Sequence, residues 1–226
     1  MIESFGLERV YLRRPADAGP TASAGEPRGP GPGPGESVEM LLAALRERVG
    51  DCKSCGLSES RTRIVMGEGN PDAGIMLVGE GPGRTEDETG RPFVGKAGQL
   101  LDRILASIEL DRDKVFITNV VKCRPTGNRT PSDSEIAACF WILEEQISAM
   151  RPGLICALGA PAARTLTGLR RGIGQMRGEI QRFGRIPVVV TYHPAALLRS
   201  PALKRPVWED MKRMRDLLVE LGLPRC

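Results

Sequence analysis

Short apolar runs alternate with amphipathic segments along most of this chain. Apolar runs bounded by glycine, proline or polar residues are typical of buried parallel strands. Four such runs cover residues 75–78, 115–121, 154–158 and 186–191. Apolar residues at helical spacing follow or precede them at 97–108, 136–150, 160–166 and 207–221. Strands that alternate with helices predict an α/β fold of three layers (α/β/α), with helices on both faces of a central, mostly parallel four-stranded sheet.

Two predicted helices begin with a capping signal. Ser37 precedes apolar residues that recur at helical spacing as far as Val49, so we predict Ser37 as an N-cap. Ser132 is followed three residues later by Glu135, which is the pattern of a capping box. The last helix is expected to bury one apolar stripe, made of Val207, Trp208, Met211, Met214, Leu218 and Leu221.

The first 36 residues differ in composition from the rest of the chain. Eleven of the seventeen residues from Gly19 to Gly35 are glycine or proline, which cannot bury apolar surface. We therefore expect a flexible extension over residues 1–36. The remaining residues, 37–226, are expected to form one folded domain, since a chain of 226 residues with 41% hydrophobic content can build one core.

Composition limits the compartment and the class of partner. No apolar run approaches the length needed to span a membrane, and the start of the chain lacks a secretory apolar segment. We therefore expect a cytoplasmic protein. We also expect it to be a monomer. The formal net charge is +4, and five arginines but one glutamate lie in residues 170–185. This local basic excess is compatible with a polyanionic partner or with ordinary solvated surface.

The segment that follows the first predicted strand is the best candidate for a binding loop. Ligands of open α/β sheets bind beyond the carboxyl ends of the strands, so Glu80, directly after Gly79, is expected at the mouth of a pocket. Phe93 offers a flat apolar face in the same segment. Residues 90–97 nearly match a phosphate-binding loop, but Ala97 has no hydroxyl for magnesium. We therefore expect no nucleotide cofactor.

Four cysteines are candidate metal ligands. In an intracellular chain, thiols are more often ligands or buried side chains than disulfides. Cys52 and Cys55 form a C-x-x-C pair, and Cys123 and Cys139 can complete a set of four sulfur ligands. Spacing alone leaves zinc, a 4Fe-4S cluster and four unrelated thiols open. A metal on Cys123 would also fix the strand end four residues earlier.

Several motifs, in this order, resemble those of the family 4 (iron-sulfur) uracil-DNA glycosylases. The resemblance covers roughly residues 37–222. It rests on the four cysteines and on GEGPG at 79–83, ED at 86–87, GRPFVGKAG at 90–98, TNVVKCRP at 118–125, NRTP at 128–131 and YHPAALLR at 192–199. Covalent uracil-binding relatives carry a glutamine in the first glycine loop and a basic insertion ending in histidine, and neither is present here.

The resemblance implies a DNA repair enzyme of base excision repair that flips uracil out of single- or double-stranded DNA and hydrolyses its N-glycosidic bond. It implies a 4Fe-4S cluster on Cys52, Cys55, Cys123 and Cys139. Expected catalytic residues are Glu80, Asn119 and His193, and Gly79 and Phe93 join them in binding uracil. Expected DNA contacts are Leu197, Leu198, Arg199 and Asn128.

Each expected role has a chemical reason. Phe93 would stack on the flipped base, and the Asn119 amide would pair with uracil O4 and N3–H. His193, the only histidine, would donate to uracil O2. Glu80 would crowd uracil C5 and position a water or act as a base. A leucine at 197 or 198 would fill the gap in the DNA. The alternative is a uracil-DNA binding protein that does not release the base.

Overall fold

The computed structural model of the chain describes residues 37–223. The expected flexible extension over 1–36 and the last three residues of the expected domain lie outside the described residues. Across the described part, no helix combines the length and apolar character needed to cross a membrane.

A mixed sheet of six strands forms the middle layer. Its strands are β1 (Glu68–Gly69), β2 (Ile75–Gly79), β3 (Phe116–Asn119), β4 (Leu154–Leu158), β5 (Ile180–Phe183) and β6 (Ile186–Thr191), in the order β1-β3-β2-β4-β6-β5. The central four strands, β3, β2, β4 and β6, are parallel to their neighbours. β1 and β5 pair antiparallel at the two edges. The carboxyl ends of the four central strands therefore meet at one edge of the sheet.

Eight α-helices cover the sheet in the described residues. They are α1 (Val38–Val49), α2 (Arg84–Thr89), α3 (Lys96–Ala106), α4 (Asp133–Met150), α5 (Ala160–Thr167), α6 (Ile173–Met176), α7 (Pro194–Arg199) and α8 (Lys204–Glu220). Short 3-10 helices span Gly56–Glu59, Arg112–Lys114, Thr126–Asn128 and Pro201–Leu203. Both predicted caps are confirmed: the Ser37 side chain accepts from the Met40 N–H, and Ser132 with Glu135 forms a reciprocal capping box.

Two apolar cores lie on opposite faces of the sheet, because alternate strand residues point to opposite faces. In β2, Met76 and Val78 join a core with α1, α4 and α5, whereas Ile75 and Leu77 join a core with α3, α7 and α8. The predicted three-layer α/β/α class with a mostly parallel sheet is thus confirmed.

Three details of the prediction were wrong. The sheet has six strands, since the edge strands β1 (EG) and β5 (IQRF) give no continuous apolar run in the sequence. The second predicted strand ends at Asn119 and not at Val121, although Val120 and Val121 still donate hydrogen bonds to Gly79 and Glu80. In α8, Trp208 is 40% exposed, and Leu221 follows the helix and is 43% exposed, so neither belongs to the buried stripe.

Candidate functional site

The carboxyl edge of the sheet gathers most of the predicted site residues. Gly79 ends β2 and pairs with Asn119, which ends β3. Thr191 ends β6, and His193 follows it as the N-cap of α7. After β2 the chain adds β3 on one side and β4 on the other, so β2 lies at a topological switch point, where such sheets form crevices.

Gly79, Phe93 and Asn119 meet at the centre of this edge. A Cβ atom on Gly79 would clash with Asn119 Oδ1 and with the Phe93 ring. Glycine at position 79 is therefore what allows the amide and the ring to approach the backbone of β2. The Phe93 ring lies 5.5 Å from the His193 ring, centroid to centroid, with the two planes tilted by 32°. Four predicted uracil-binding residues thus form one contiguous group.

The Asn119 side chain is buried with an unsatisfied acceptor. It is only 1% exposed, and within residues 37–223 its Oδ1 has no hydrogen-bond partner. Leaving such an atom unpaired in a buried site costs roughly 1–3 kcal/mol. Its backbone carbonyl, in contrast, accepts a hydrogen bond of 2.7 Å from Lys122 Nζ. An orphaned polar atom at a strand end is typical of a ligand-binding position.

The protonation of His193 is defined by its surroundings. Its Nδ1 accepts a hydrogen bond of 3.2 Å from the Ala195 N–H, so the proton of the neutral ring lies on Nε2. Burial, with a smaller contribution from nearby Arg199, lowers the pKa of His193 to about 4, and Glu86 opposes the shift. The ring is therefore neutral at pH 7 and presents Nε2–H as a donor, although part of the side chain reaches the surface.

Glu80 follows Gly79 directly and lies half-buried beside this group. Burial raises the pKa of Glu80, and a hydrogen bond with the Thr130 side chain opposes that rise. Thr130 belongs to the NRTP turn, so the carboxylate connects the first glycine loop to that turn. A half-buried carboxyl with a raised pKa, next to the end of β2, is suited to proton transfer or to placing a water.

The Phe93 loop is fixed from two sides. Phe93 has a left-handed backbone (φ 52°), which is uncommon for a residue with a large side chain. Buried Glu86 accepts from the N–H groups of Val94 (3.0 Å) and Gly95 (2.8 Å) through one oxygen. Arg112 donates to the carbonyls of Pro92 and Phe93. These contacts hold the backbone that presents the ring.

The predicted DNA contacts divide into exposed and buried residues. Leu198 is 47% exposed and Arg199 is exposed, both at the end of α7. Asn128 is exposed with a left-handed backbone, and its Oδ1 accepts a 2.7 Å hydrogen bond from Arg124. Leu197 is only 3% exposed and packs in the core with α3 and α8. Of the two leucines, Leu198 is therefore the one whose side chain is accessible in this structure, and a DNA contact by Leu197 stays a prediction.

The four predicted ligand cysteines line one small pocket between α1, α4 and the Cys52–Arg61 segment. Its lining comprises Val49, Cys52, Ser54, Cys55, Arg61, Ile64, Lys122, Cys123, Ala138, Cys139 and Ile142. Cys156 lies elsewhere, inside β4. Within residues 37–223 no three or more His, Cys, Asp or Glu side chains form a group that could hold a metal ion.

Hydrogen-bond donors point at two of these sulfurs. Arg61 Nη1 donates to Cys123 Sγ (3.6 Å), and the Lys122 backbone N–H donates to Cys139 Sγ (3.3 Å). Burial raises the pKa of Cys123 to about 11 despite Arg61, and it raises the pKa of Cys139. As bare thiols these side chains would stay protonated at pH 7, so thiolates at this position require a strongly positive partner.

Sequence reasoning missed several residues that shape the site. Glu86 and Asp87 entered only as part of a motif, yet both are buried, and Asp87 accepts from the N–H groups of Thr62 (2.8 Å) and Arg63 (3.3 Å). Lys122 is fully buried, with Nζ bonded to Thr118, Asn119 and Gln146. Two adjacent acids just after a glycine loop were a detectable signal. A buried lysine gives none.

Comparison with known proteins identifies the family of this chain. The family described as "Uracil DNA glycosylase superfamily" matches residues 66–212. A type-4 uracil-DNA glycosylase of Thermotoga maritima is 45% identical over 188 residues, which cover 81% of this chain and 98% of that protein. The chain belongs to the type-4 uracil-DNA glycosylases.

Other relatives agree with the type-4 assignment. The type-4 uracil-DNA glycosylase of Pyrobaculum aerophilum is 46% identical, with 76% of this chain and 92% of that protein covered. A type-5 uracil-DNA glycosylase of the same organism is 32% identical over only 60% of this chain and 67% of that protein. The family resemblance predicted from the motifs is therefore confirmed.

Proposed function

We propose that this type-4 uracil-DNA glycosylase binds uracil flipped out of DNA, hydrolyses the bond between the base and deoxyribose, and releases free uracil from an abasic site. Membership of the family and the relatives' names support this activity. The observation that carries the proposal is the buried, unpaired Oδ1 of Asn119 beside Phe93, whose ring lies next to His193. We further propose that it acts as a cytoplasmic monomer without a nucleotide cofactor.

Base recognition is assigned to Phe93 and Asn119. A flipped base that stacks on an aromatic ring regains about 1–3 kcal/mol of the cost of extrusion. The Asn119 Oδ1 can accept from uracil N3–H while its amide N–H₂ donates to O4. Cytosine presents the reverse pattern at both positions, so it would leave the buried Oδ1 unpaired. That penalty is the source of selectivity.

Stabilisation of the leaving base is assigned to His193. As the glycosidic bond breaks, negative charge accumulates on uracil O2, and a neutral Nε2–H donor in a dry pocket stabilises it. The Nδ1 contact with the Ala195 N–H supports this role, because it selects the tautomer with the proton on Nε2. The imidazole acts as a hydrogen-bond donor and needs no charge of its own.

Two roles are assigned to Glu80: it orients the attacking water, and it limits the space beside the base. Its half-buried carboxyl follows Gly79 immediately, and this supports a role at the rim of the base site. There it can orient the attacking water, and its bulk would exclude the methyl group of thymine. As a carboxylate it would also oppose positive charge on the sugar in the transition state.

DNA contacts are assigned to residues around the end of α7. Leu198 is the apolar side chain free to enter the gap left by the flipped nucleotide. Arg199 would meet a backbone phosphate, and Asn128 would hold the NRTP turn near the DNA strand. Contacts of this kind are weakened by salt, since phosphate binding releases counterions.

We propose that Cys52, Cys55, Cys123 and Cys139 hold a 4Fe-4S cluster. Four sulfurs around one pocket and two N–H donors aimed at sulfur suit an all-thiolate site. Each thiolate of such a cluster binds a different iron, so its ligands stand farther apart than those of a single ion. The cluster would supply structural cross-linking of three chain segments. Tetrahedral zinc on the same thiols is the rival.

The deciding experiment is a single-turnover assay on oligonucleotides that contain one uracil, opposite adenine, opposite guanine or in a single strand. The expected result is an alkali-labile abasic site and free uracil, with His193→Ala slowing the step by roughly 10²-fold or more and leaving DNA affinity within about threefold. Intact DNA, or a stable protein–DNA adduct, would contradict this activity and would indicate a protein that binds uracil without releasing it.

Selectivity tests Asn119 separately. Asn119→Asp places an acceptor where uracil O4 needs a donor, while an aspartate can accept from the amino group of cytosine. Uracil excision should fall by roughly 10²-fold or more, and the ratio of cytosine to uracil excision should rise. Uracil- and cytosine-containing single strands measured in parallel give the ratio. An unchanged ratio removes Asn119 as the residue that reads the base.

A further inference from the structure

A buried carboxylate lies beneath the strand that leads to His193. Asp210, on α8, is 3% exposed and accepts hydrogen bonds at both oxygens. Arg177 Nη2 donates to Oδ1 (2.9 Å), and Arg177 Nε donates to Oδ2 (3.0 Å). The Thr191 hydroxyl donates to Oδ2 (2.8 Å). Asp210 therefore joins α8, the turn after α6 and the end of β6.

Both residues that precede His193 are held by this group. Thr191 is the last residue of β6, and its backbone carbonyl accepts a 2.8 Å hydrogen bond from Gly159. The Arg177 guanidinium lies over the Tyr192 ring, 5.6 Å from the ring centroid. The side chain of Thr191 and the ring of Tyr192 are thus both tied to the Asp210–Arg177 pair.

His193 has little room to move without losing its geometry. A Cβ on Gly159 would lie 3.1 Å from His193 Cβ, so the backbone of Gly159 (φ 94°) closely approaches the histidine. On its other side the ring lies near Phe93. A donor to a developing charge must be held in place before the reaction, since small displacements sharply weaken it.

The Asp210–Arg177 ion pair combines a buried carboxylate with a guanidinium whose side chain is 20% exposed. Burying a carboxylate is costly, and well-packed apolar replacements of buried ion pairs are often as stable or more so. In some proteins such pairs fix one geometry, and we apply that explanation to this pair. Here the geometry imposed is that of Thr191 and Tyr192.

We propose that Asp210, Arg177 and Thr191 form a positioning clamp, which holds the His193 imidazole in the position where it can donate to the flipped base. This inference rests on the proposed function of His193 as the donor to the leaving base. None of the three clamp residues has to touch DNA or uracil, so each acts through His193. The clamp should therefore govern the rate of base release more than the affinity for DNA.

Thr191→Val and Thr191→Ser test the clamp at one hydroxyl. Valine keeps the shape and removes the bond to Asp210, whereas serine keeps the hydroxyl. Thr191→Val should slow single-turnover uracil release roughly tenfold, with DNA affinity within about twofold, and Thr191→Ser should stay within about twofold of the parent. Ile147→Val, a core truncation on α4, controls for general loosening and should leave the rate unchanged.

The sole histidine also gives a readout that needs no activity. In ¹⁵N-labelled protein one imidazole gives all histidine side-chain signals, and in the parent these should report the Nε2–H tautomer. Thr191→Val should broaden or shift these signals, and Thr191→Ser and Ile147→Val should not.

The outcomes separate the clamp from the proposed function. An active parent enzyme with unchanged rate and imidazole signals in Thr191→Val overturns the clamp alone. Equal losses of rate and affinity would also overturn it, because they indicate general disruption. An inactive parent would overturn the proposed function, whatever the imidazole signals show.

Discussion

The neutral state of His193 predicts how the folding stability of the protein depends on pH, whether or not the protein is an enzyme. Its pKa is lowered to about 4 by burial, against an ordinary value of about 6.5 in the unfolded chain. Between these two values the unfolded state binds the proton more readily than the folded state. Stability contributed by the neutral ring is thus complete above pH 6.5 and is lost as the pH falls towards 4.

Urea unfolding of the parent and of His193→Gln, measured from pH 4 to pH 7.5, should show this difference. Glutamine does not titrate, so the parent should lose up to about 1.4 kcal/mol per pH unit more than the variant within that window. The two curves should run parallel above pH 7. Parallel curves across the whole range would mean that His193 is not desolvated.

At the residue scale, the motifs named side chains whose proximity the structure shows and whose roles stay predictions. Phe93, Asn119 and His193 were placed in one site by their motifs, and the structure brings them together with Gly79. Leu197 and Leu198 could not be separated, because α7 is a short helix whose buried face depends on α3 and α8. The contacts of Asp210 with Thr191 and Arg177 could not be predicted from the sequence, since these partners are 19 and 33 residues away along the chain.

At the scale of elements, α2 and the Phe93 loop act together. The Glu86 carboxylate is the only acceptor in the described residues assigned to the N–H groups of Val94 and Gly95. Without it, two part-buried donors next to the left-handed Phe93 would lose their acceptor. The ring would then lose the support that holds it beside His193.

Glu86→Ala should therefore destabilise the protein by roughly 2–4 kcal/mol and weaken binding of uracil-containing DNA, while Glu86→Gln keeps an acceptor oxygen and should cost less. Glu88→Ala is a matched control on the same helix, because Glu88 is exposed and pairs only with exposed Arg84 (2.8 Å) in the described residues. It should change stability by less than about 1 kcal/mol. Equal effects of the two alanine variants would contradict this role of Glu86.

The central elements were predictable and the edges were not. Four parallel strands are buried on both faces and give continuous apolar runs, as in Ile75–Gly79. The edge strands β1 and β5 are short and partly exposed, and their pairing depends on neighbours brought close only by the fold. The start of α4 was predictable at Ser132, because the capping box depends only on residues 132–135.

At the scale of the whole molecule, one short segment joins the proposed uracil site around Asn119 to the pocket lined by the four cysteines, which we call the sulfur pocket. Asn119 ends β3, and Cys123 lies four residues later in the sulfur pocket. Between them, Lys122 donates through Nζ to the Asn119 carbonyl and through its backbone N–H to Cys139 Sγ. A metal on the four cysteines would therefore also brace the strand end that presents Asn119.

Cys139→Ala and Cys156→Ala, both at buried cysteines, test this arrangement. The parent, purified without oxygen, should be brown and contain about four iron and four sulfide per chain. Cys139→Ala should lose most of this metal and at least about 3 kcal/mol of stability, or roughly 10 °C in Tm. Cys156→Ala, inside β4, should keep its metal and lose only about 1 kcal/mol. A colourless parent with one zinc per chain would refute the cluster, and equal metal content in the two variants would remove Cys139 as a ligand.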